Sequence, residues 1–593
     1  MDGRIPWLAL FLPGLVGCNA ILDIHRHESV ESSPAAGGAG APSEAQGGSL
    51  SGSGEVGGGA GIGGNGGVSA GAAGRSPAES PFTVLWRFES MSGNQVVPAD
   101  DLSAAPALSV QGGSLAAGLT GNHLVLADAG ASAVTAEPVI DSSSSFSVSV
   151  WVRLDQLNRW NTIVSQDGQN VSSFYLQKRE SGQLAFTTLP ADSTAAVPCV
   201  AMATLKPATG EWYHLVGTRD AATGRQRLYV DGILSAEALC PSTFRADGPL
   251  AVGRGKWEQP TDWMTGAVDE LGIADRILSP AEIVDLFELG RRDSPHYLFA
   301  YFEEVAQGRG DGLRFAHSHD ALSWGAVGPT TFLAPTVGGL SFRDPHLMRD
   351  PNDTYHLVWT SSCVPWAEPN CVQDRGFAYA TSKDLVSFSE PRFIEISKEK
   401  LNVEHFWAPE TFYDASSEQY LLLWSSPLDV TPEADPHGIY YVLTKDFVTF
   451  SDPAVLYARA GRNFIDASIA KHGDTYFMFL KDEAEGQKNL RVVSSPSLFG
   501  ISAWTAEPSA ALTGAYAAEG PTPLFEDGRL LLYFDKYGEQ TTGALRARSL
   551  LALTDPATWE DISPSVSASR LRHGSVLQVG SDVFRALALR AAR

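Results

Sequence analysis

The chain has 593 residues, 44% hydrophobic and 19% charged, enough for two or three globular domains. Its 68 acidic and 43 basic side chains leave a formal net charge of -25 at pH 7, which argues against nucleic acid and anionic membrane surfaces as partners, since both would repel it. Neutral substrates such as sugars remain open.

The amino terminus reads as an export address. Ile5 to Val16 is apolar, too short to span a bilayer as a mature helix, and runs into Leu15-Val16-Gly17-Cys18, which resembles a bacterial lipobox. Residues 1–17 are expected to be a lipoprotein signal peptide with Cys18 the lipidated first residue, an ordinary cleaved signal being the alternative. Asn19 after Cys18 favours the outer membrane of a Gram-negative host, so membrane attachment is expected only through the lipid anchor. Residues 18–80 include a Gly, Ser and Ala tract from Ser32 to Ser80 that cannot bury enough apolar surface to offset chain entropy, which predicts a flexible tether. Setting Cys18 aside leaves an even set of cysteines. Cys199 and Cys240 fall in one domain and Cys363 and Cys371 in the next, so pairing within domains predicts two disulfides. No Cys or His cluster has zinc-ligand spacing.

Residues 81–290 are rich in short alternating strands such as Phe146-Ser147-Val148-Ser149-Val150-Trp151-Val152 and His214-Leu215-Val216-Gly217-Thr218. Arg227-Leu228-Tyr229-Val230-Asp231-Gly232 reads as a strand entering a hairpin turn. Gly266-Ala267-Val268-Asp269-Glu270-Leu271 follows, then a short amphipathic helix after Ser279-Pro280-Ala281-Glu282. This order of motifs resembles the laminin-G-like, concanavalin-A-type sandwich, a fold that serves either as a glycan binder or as a spacer. No pair of carboxylates in this unit reads as catalytic.

Residues 295–593 are periodic. Five stretches recur roughly every 50 to 65 residues, a spacing that points to a propeller with one four-stranded blade per period. They are Arg343-Asp344-Pro345, Ala408-Pro409-Glu410, Ile465-Asp466-Ala467, Ala518-Glu519-Gly520 and Arg572-His573-Gly574. Each precedes a short apolar strand: Tyr355 to Trp359, Tyr420 to Trp424, Tyr476 to Leu480, Leu530 to Phe534 and Asp582 to Leu587. The first strand of each blade lines the axis, so Asp344, Glu410, Asp466, Glu519 and His573 are expected at five equivalent positions around one funnel. Crowded carboxylates cost energy unless their shifted pKa values serve a purpose. A second repeat of turn, hydrophobe and aromatic supports the blade count: His319 to Trp324, Ser382 to Phe388, Thr444 to Phe450 and Thr554 to Trp559, with Ser494 to Trp504 a degenerate copy. Its aromatics are expected to pack between blades.

Arg343-Asp344-Pro345-His346, Trp407-Ala408-Pro409-Glu410, Ile465-Asp466, Glu519-Gly520-Pro521 and Arg572-His573-Gly574 together resemble glycoside hydrolase family 43, over about Tyr297 to the end. The resemblance implies a five-bladed propeller that cleaves pentose or furanose sugars with inversion and needs no cofactor. Carried over by position, Asp344 is the general base, Asp466 the residue that tunes and orients the acid, and Glu519 the general acid. His573 matches an axial histidine that holds a water or a calcium ion. Ala467 and Ser468 after Asp466, and Glu410 in place of an Asp, depart from the common pattern. The chemistry is consistent: inversion needs an acid and a base roughly 6.5 to 9.5 Å apart, and a third carboxylate beside the acid keeps it protonated.

Arg343, Lys481 and Arg572 either hydrogen-bond sugar hydroxyls or neutralise the clustered acids, and Trp407 either stacks on a sugar or packs. With His346 and Glu410 they complete the expected substrate-binding set. The expectation is an exported, all-β, monomeric protein, a concanavalin A-like sandwich followed by a five-bladed β-propeller, acting on an oligosaccharide or polysaccharide. Tyr297 to Phe302, Arg343-Asp344-Pro345-His346 and Arg572-His573-Gly574-Ser575 look most like the family branch associated with arabinofuranosidases and galactofuranosidases, so an activity of arabinofuranosidase, galactofuranosidase or xylosidase type is expected. A sugar-binding protein with an inactive propeller and a propeller phosphorylase are the rivals.

Overall fold

The computed structural model describes residues 80–593 except 100–105, 129, 292–293, 306–308, 363–374, 398, 402, 404, 429–435, 485–487, 501, 527 and 569. The expected signal peptide, Cys18, the tether and the expected Cys363 to Cys371 disulfide lie outside the described residues.

The first part of the described chain is a sandwich of two eight-stranded antiparallel sheets. One sheet centres on Phe146–Leu154 between Trp212–Asp220 and Gly266–Ala274; the other runs from Cys199–Met202 through Leu184–Thr188, Ser172–Lys178 and Asn161–Asp167 to Gln95–Val96. Alternation sends Val148, Val150 and Val152 of one sheet and Phe174, Leu176 and Phe186 of the other into a shared core. Arg225–Val230 turns back through Asp231 and Gly232, both at positive φ (+50° and +79°), as a two-residue hairpin requires. Cys199 and Cys240 form a disulfide across 41 positions of sequence.

Helix α1 (Pro280–Gly290) follows, started by a capping box between Ser279 and Glu282. It buries Ile283, Val284 and Phe287. Phe287 lies between Trp151 of the sandwich (5.8 Å) and Phe584 (5.5 Å) of helix α2 (Ser581–Ala591), and Arg585 pairs with Asp285 at 2.6 Å, so sandwich and propeller share a core.

The propeller has five blades. From the axis outward, blade II comprises Arg343–Arg349, Tyr355–Thr360, Gly376–Ser382 and Arg392–Glu395. Blade III comprises Trp407–Asp414, Gln419–Pro427, His437–Thr444 and Ala454–Tyr457. Blade IV comprises Phe464–His472, Thr475–Asp482 and Asn489–Ser495, and blade V comprises Glu519–Glu526, Arg529–Lys536, Thr541–Ala547 and Trp559–Asp561. Blade I is composite: its innermost strand, Ser575–Val579, comes from the carboxy-terminal end and pairs with His296–Tyr301. This closes the ring and leaves no free inner edge. The stretch Asp582 to Leu587, expected as a strand, is therefore part of α2. Val583, Phe584, Leu587 and Ala588 are buried at helical spacing, and the strand partner it would have needed is already supplied by the start of the propeller.

The turn repeat has one physical form in three copies. Oδ1 of Asp320, Asp384 and Asp446 accepts the backbone N–H groups two and three residues on, at 2.7 to 2.9 Å. The residue after each Asp (Ala321, Leu385, Phe447) sits at φ +55° to +59°. Trp324 packs against Phe299 of blade I and Tyr533 of blade V, as expected of an inter-blade aromatic. In the third copy Phe447 is also turned inward, stacked on His356 and Tyr379 of blade II, with Phe450 partly buried against the same cluster.

Candidate active site

In blades II to V the innermost strand opens with the same bulge. Arg343 pairs with Thr360 and His346 with Val358, leaving Asp344 and Pro345 opposite one residue. The same two-against-one arrangement recurs at Ala408-Pro409, Asp466-Ala467 and Gly520-Pro521. The first bulge residue is left-handed each time: φ is +50° at Asp344, +46° at Ala408, +54° at Asp466 and +62° at Gly520. Such a bulge re-aims side chains at the cost of roughly 1 kcal/mol or more for a non-glycine residue. Tertiary hydrogen bonds support it: Ala408 N–H donates to Thr360 Oγ1 (2.9 Å) and Asp466 N–H to Ser425 Oγ (3.0 Å), each from the second strand of the preceding blade. The register positions of Thr360 and Ser425 are occupied in blade IV by Lys481 and in blade V by Asp535. With a lysine there instead of a hydroxyl, Gly520 N–H donates to Asp466 Oδ2 (3.3 Å).

The five expected axial residues are thus not equivalent. Asp344 and Asp466 are the first bulge residues, Glu519 precedes its bulge, Glu410 follows its bulge, and His573 stands in blade I, before its innermost strand. A one-residue shift in a strand turns a side chain to the other face, and the bulges make up the difference. Asp344, Asp466, Glu519 and His573 nevertheless meet. His573 Nδ1 lies 3.5 Å from Asp344 Oδ1 and 3.9 Å from Asp466 Oδ2. Gly520 makes room for this ring, since a Cβ there would stand 2.5 Å from His573 Cγ. Lys481 Nζ, 4% exposed as a residue, bridges Glu519 Oε2 (3.0 Å) and Glu483 Oε1 (2.5 Å) and faces the Tyr537 ring at 4.8 Å.

The electrostatics follow from burial. Desolvation, with help from the Glu519 and Asp344 carboxylates, pushes Asp466 up to about 6 against the pull of His573 and Lys481. Burial draws the Lys481 ammonium down, but Glu519, Asp466 and Glu483 together carry it well above the usual lysine range. Asp344 and Glu519, with 13% and 21% of their side chains exposed, are the more open carboxylates of the group.

Glu410 and His346 sit one step further along their strands. Burial raises the Glu410 carboxyl well above its ordinary value, Ser468 hydrogen-bonds it, and His346 Nε2 is 3.7 Å away. Burial, then His573, lowers His346 to about 3. His346 also lines a cavity of about 670 Å³ with Arg349, Asp350 and Phe412, which lie further along the innermost strands or the turn after them. Arg343 and Arg572 both stack over Phe302, at 5.2 and 5.0 Å. Arg572 also contacts Glu304 and lies 3.7 Å from Asp535. Trp407, half-buried, stacks against His405 (4.4 Å) and His437 (4.9 Å), two imidazoles that also lie within hydrogen-bond distance of each other (Nδ1 to Nε2, 3.2 Å).

Sequence reasoning missed Asp535, which is buried, held by Arg570 at 2.8 and 3.1 Å, and raised to about 6 by burial and Glu519. It also missed Glu483 and the hydroxyls of Thr360 and Ser425. A signal existed: each apolar second strand ends in a polar residue, Thr360, Ser425, Lys481 and Asp535 in turn. Calcium takes about six to eight oxygen ligands, waters among them, and the Asp344 and Asp466 carboxylates are the oxygen donors that stand beside the His573 imidazole. Among the described residues, Glu211, His319 and Asp320 come close enough together for an ion, away from the axis. Both ring nitrogens of His319 are already engaged there, by Asp231 and Arg291.

Residues 293–583 match the family described as a probable glycosyl hydrolase domain, related to family 43. Residues 128–284 match the concanavalin A-like lectin/glucanases superfamily, in its laminin-G-type form. A curated relative, an alpha-L-arabinofuranosidase of Bifidobacterium longum, is 25% identical over 182 residues, covering 28% of this chain and 17% of its own length. The chain therefore spans only a small part of that relative. Among solved structures, domain 4 of AbnA, a family 43 extracellular arabinanase from Geobacillus stearothermophilus in complex with arabinotriose, is 21% identical (35% of this chain, 97% of that one, TM-score 0.30). An alpha-L-arabinofuranosidase from Lactobacillus brevis is 16% identical (37% of this chain, 72% of that one, TM-score 0.30).

Proposed function

Because the propeller is a glycoside hydrolase family 43-related domain, we propose that this protein is a glycosidase that removes terminal furanose or pentose residues from an oligosaccharide or polysaccharide, with inversion. L-arabinofuranose is the leading sugar, on the strength of the arabinofuranosidase relative. The observation that carries the reading is the meeting of Asp344, Asp466 and Glu519, from three blades, beside His573 and Lys481 at one end of the axis. In this mechanism Asp344 takes a proton from water as the water oxygen attacks the anomeric carbon. The bond to the leaving oxygen breaks and Glu519 delivers its proton to that oxygen. Asp466, fixed by Ser425 and Gly520, sets the charge beside the acid, and Lys481 holds the Glu519 carboxyl in place. Trp407 offers a face for a sugar ring, and export through lipidated Cys18 belongs to the same proposal.

The test compares nitrophenyl and natural arabinofuranosides. Glu519→Gln loses most activity on natural glycosides but retains more on those with an activated leaving group, which need little protonation; Asp344→Asn loses both. Proton NMR of the first-formed anomer reads inversion. Wild-type rates in both variants, with circular dichroism unchanged, remove the carboxylates from the chemistry and leave a sugar-binding protein.

A further inference from the structure

The sandwich holds a second pocket, of about 390 Å³, on the outer face of the sheet that contains Ser172–Lys178 and Leu184–Thr188. Along these strands Phe174, Leu176, Leu184 and Phe186 face the sandwich core, so Tyr175, Gln177 and Thr187 point the other way. An outward sheet face ordinarily meets water, yet Gln177 and Thr187 are only 4% and 3% exposed. A hairpin of Gly255–Trp257 and Gln259–Thr261 walls them in, anchored by Tyr175, whose hydroxyl donates to the Lys256 carbonyl (2.6 Å). At its tip Trp257 stays 39% exposed. The opposite wall includes Trp160, over which the Arg179 guanidinium stacks at 4.8 Å. Pro198, beside the disulfide-bonded Cys199, closes another side.

The lining has a definite chemistry. Two indoles offer flat apolar faces, and the Gln177 to Thr187 hydrogen bond (2.9 Å) makes a polar floor. Stacking fixes the plane of Arg179, whose fork of donors suits a pair of adjacent oxygens. Across from it the half-buried Asp262 carboxylate accepts from Thr261 Oγ1 (3.3 Å), on a backbone held at φ +55°. One guanidinium and one carboxylate leave no net charge for an ionic ligand. The site is on a sheet face rather than an edge, so a peptide cannot add to it as a strand. The volume lies within the roughly 300–1,000 Å³ of small-molecule sites. A ring with apolar C–H faces and several hydroxyls matches each of these features.

We propose that this pocket binds a neutral oligosaccharide, as a second saccharide site distinct from the propeller. That it holds substrate for the propeller rests on the glycosidase reading; that it binds sugar does not.

The experiment is affinity electrophoresis of the full chain carrying Asp344→Asn, in gels containing arabinan, arabinoxylan or galactan. Retardation by at least one polysaccharide is expected, with Trp257→Ala, a change at an exposed hairpin tip, weakening it at least tenfold and Arg179→Ala weakening it too. In the otherwise wild-type chain, Trp257→Ala leaves hydrolysis of a nitrophenyl arabinofuranoside unchanged. No retardation by any of the three, or retardation undiminished in both pocket variants, overturns the proposal. Retardation that Trp257→Ala abolishes, in a protein that hydrolyses nothing, upholds the pocket and defeats the glycosidase reading instead.

Discussion

Replacing Asp466 by Asn removes a carboxyl that burial, and then Glu519 and Asp344, push up to about 6 from an ordinary 3.8. A carboxyl whose folded value is raised contributes stability that is fully present below the unfolded value and lost as pH rises through the folded one. The interval is about 2 units, and at about 1.36 kcal/mol per unit the ionised, buried Asp466 costs the wild type about 3 kcal/mol at pH 8. Asn keeps an oxygen that can accept from Gly520 N–H and carries no charge to desolvate. With an unfolding entropy of about 2.1 cal/mol/K per residue over about 300 propeller residues, 3 kcal/mol corresponds to about 5 °C. Differential scanning calorimetry at pH 4.5 and pH 8 reads this directly. The variant is expected to melt about 5 °C above the wild type at pH 8, to lose that advantage towards pH 4.5, and to lose most hydrolysis at both. A difference that does not change with pH, or a variant that melts lower at pH 8, refutes the reasoning, because Asp466 would then ionise in the fold at no cost.

Gly520→Ala places a Cβ 2.5 Å from the His573 ring at a φ of +62°, so it should cut hydrolysis at least tenfold and lower Tm; wild-type kinetics would show that the His573 position is immaterial. Ser425→Ala leaves the Asp466 N–H unpaired, which should cost about 1 to 3 kcal/mol in denaturant unfolding. Thr360→Val, at the same place behind Ala408, should cost a similar amount of stability but much less activity, since none of Asp344, Asp466 and Glu519 stands at that bulge. Equal activity losses in the two would argue against a role for bulge placement in catalysis. Opening the Cys199 to Cys240 disulfide by paired serine substitutions frees a loop of 41 positions and should cost about 4 kcal/mol under the chain-entropy relation, read as a lower midpoint of sandwich unfolding.

The repeat was legible because its causes are local. An Asp turn followed by a hydrophobe, and an apolar run every 50 to 65 residues, are written in consecutive side chains, and a blade needs little else to be recognised. Asp344, Asp466, Glu519 and His573 could be picked out for the same reason: each stands just before or within an innermost strand. The Ser279 and Glu282 capping box and the Asp231-Gly232 hairpin are equally local, and both formed where their residues stand. Asp582 to Leu587 misled because its apolar spacing serves a helix, and only the partner strand His296–Tyr301, almost 300 residues earlier, decides how blade I closes.

By itself the sequence determined an all-β chain, a sandwich before a five-bladed propeller, and which carboxylates gather. Only the tertiary structure decided how they are presented. Whether a residue falls before, in or after a bulge depends on left-handed backbone that Asp344, Ala408 and Asp466 do not favour intrinsically, and for Ala408 and Asp466 the support is a hydroxyl from the preceding blade. The pairing of Lys481 with Glu519, the burial that raises Asp466 and Asp535, and the placing of His346 beside Glu410 arise the same way. Each depends on distances between strands of different blades, a quantity that no local pattern encodes and that packing around the common axis imposes.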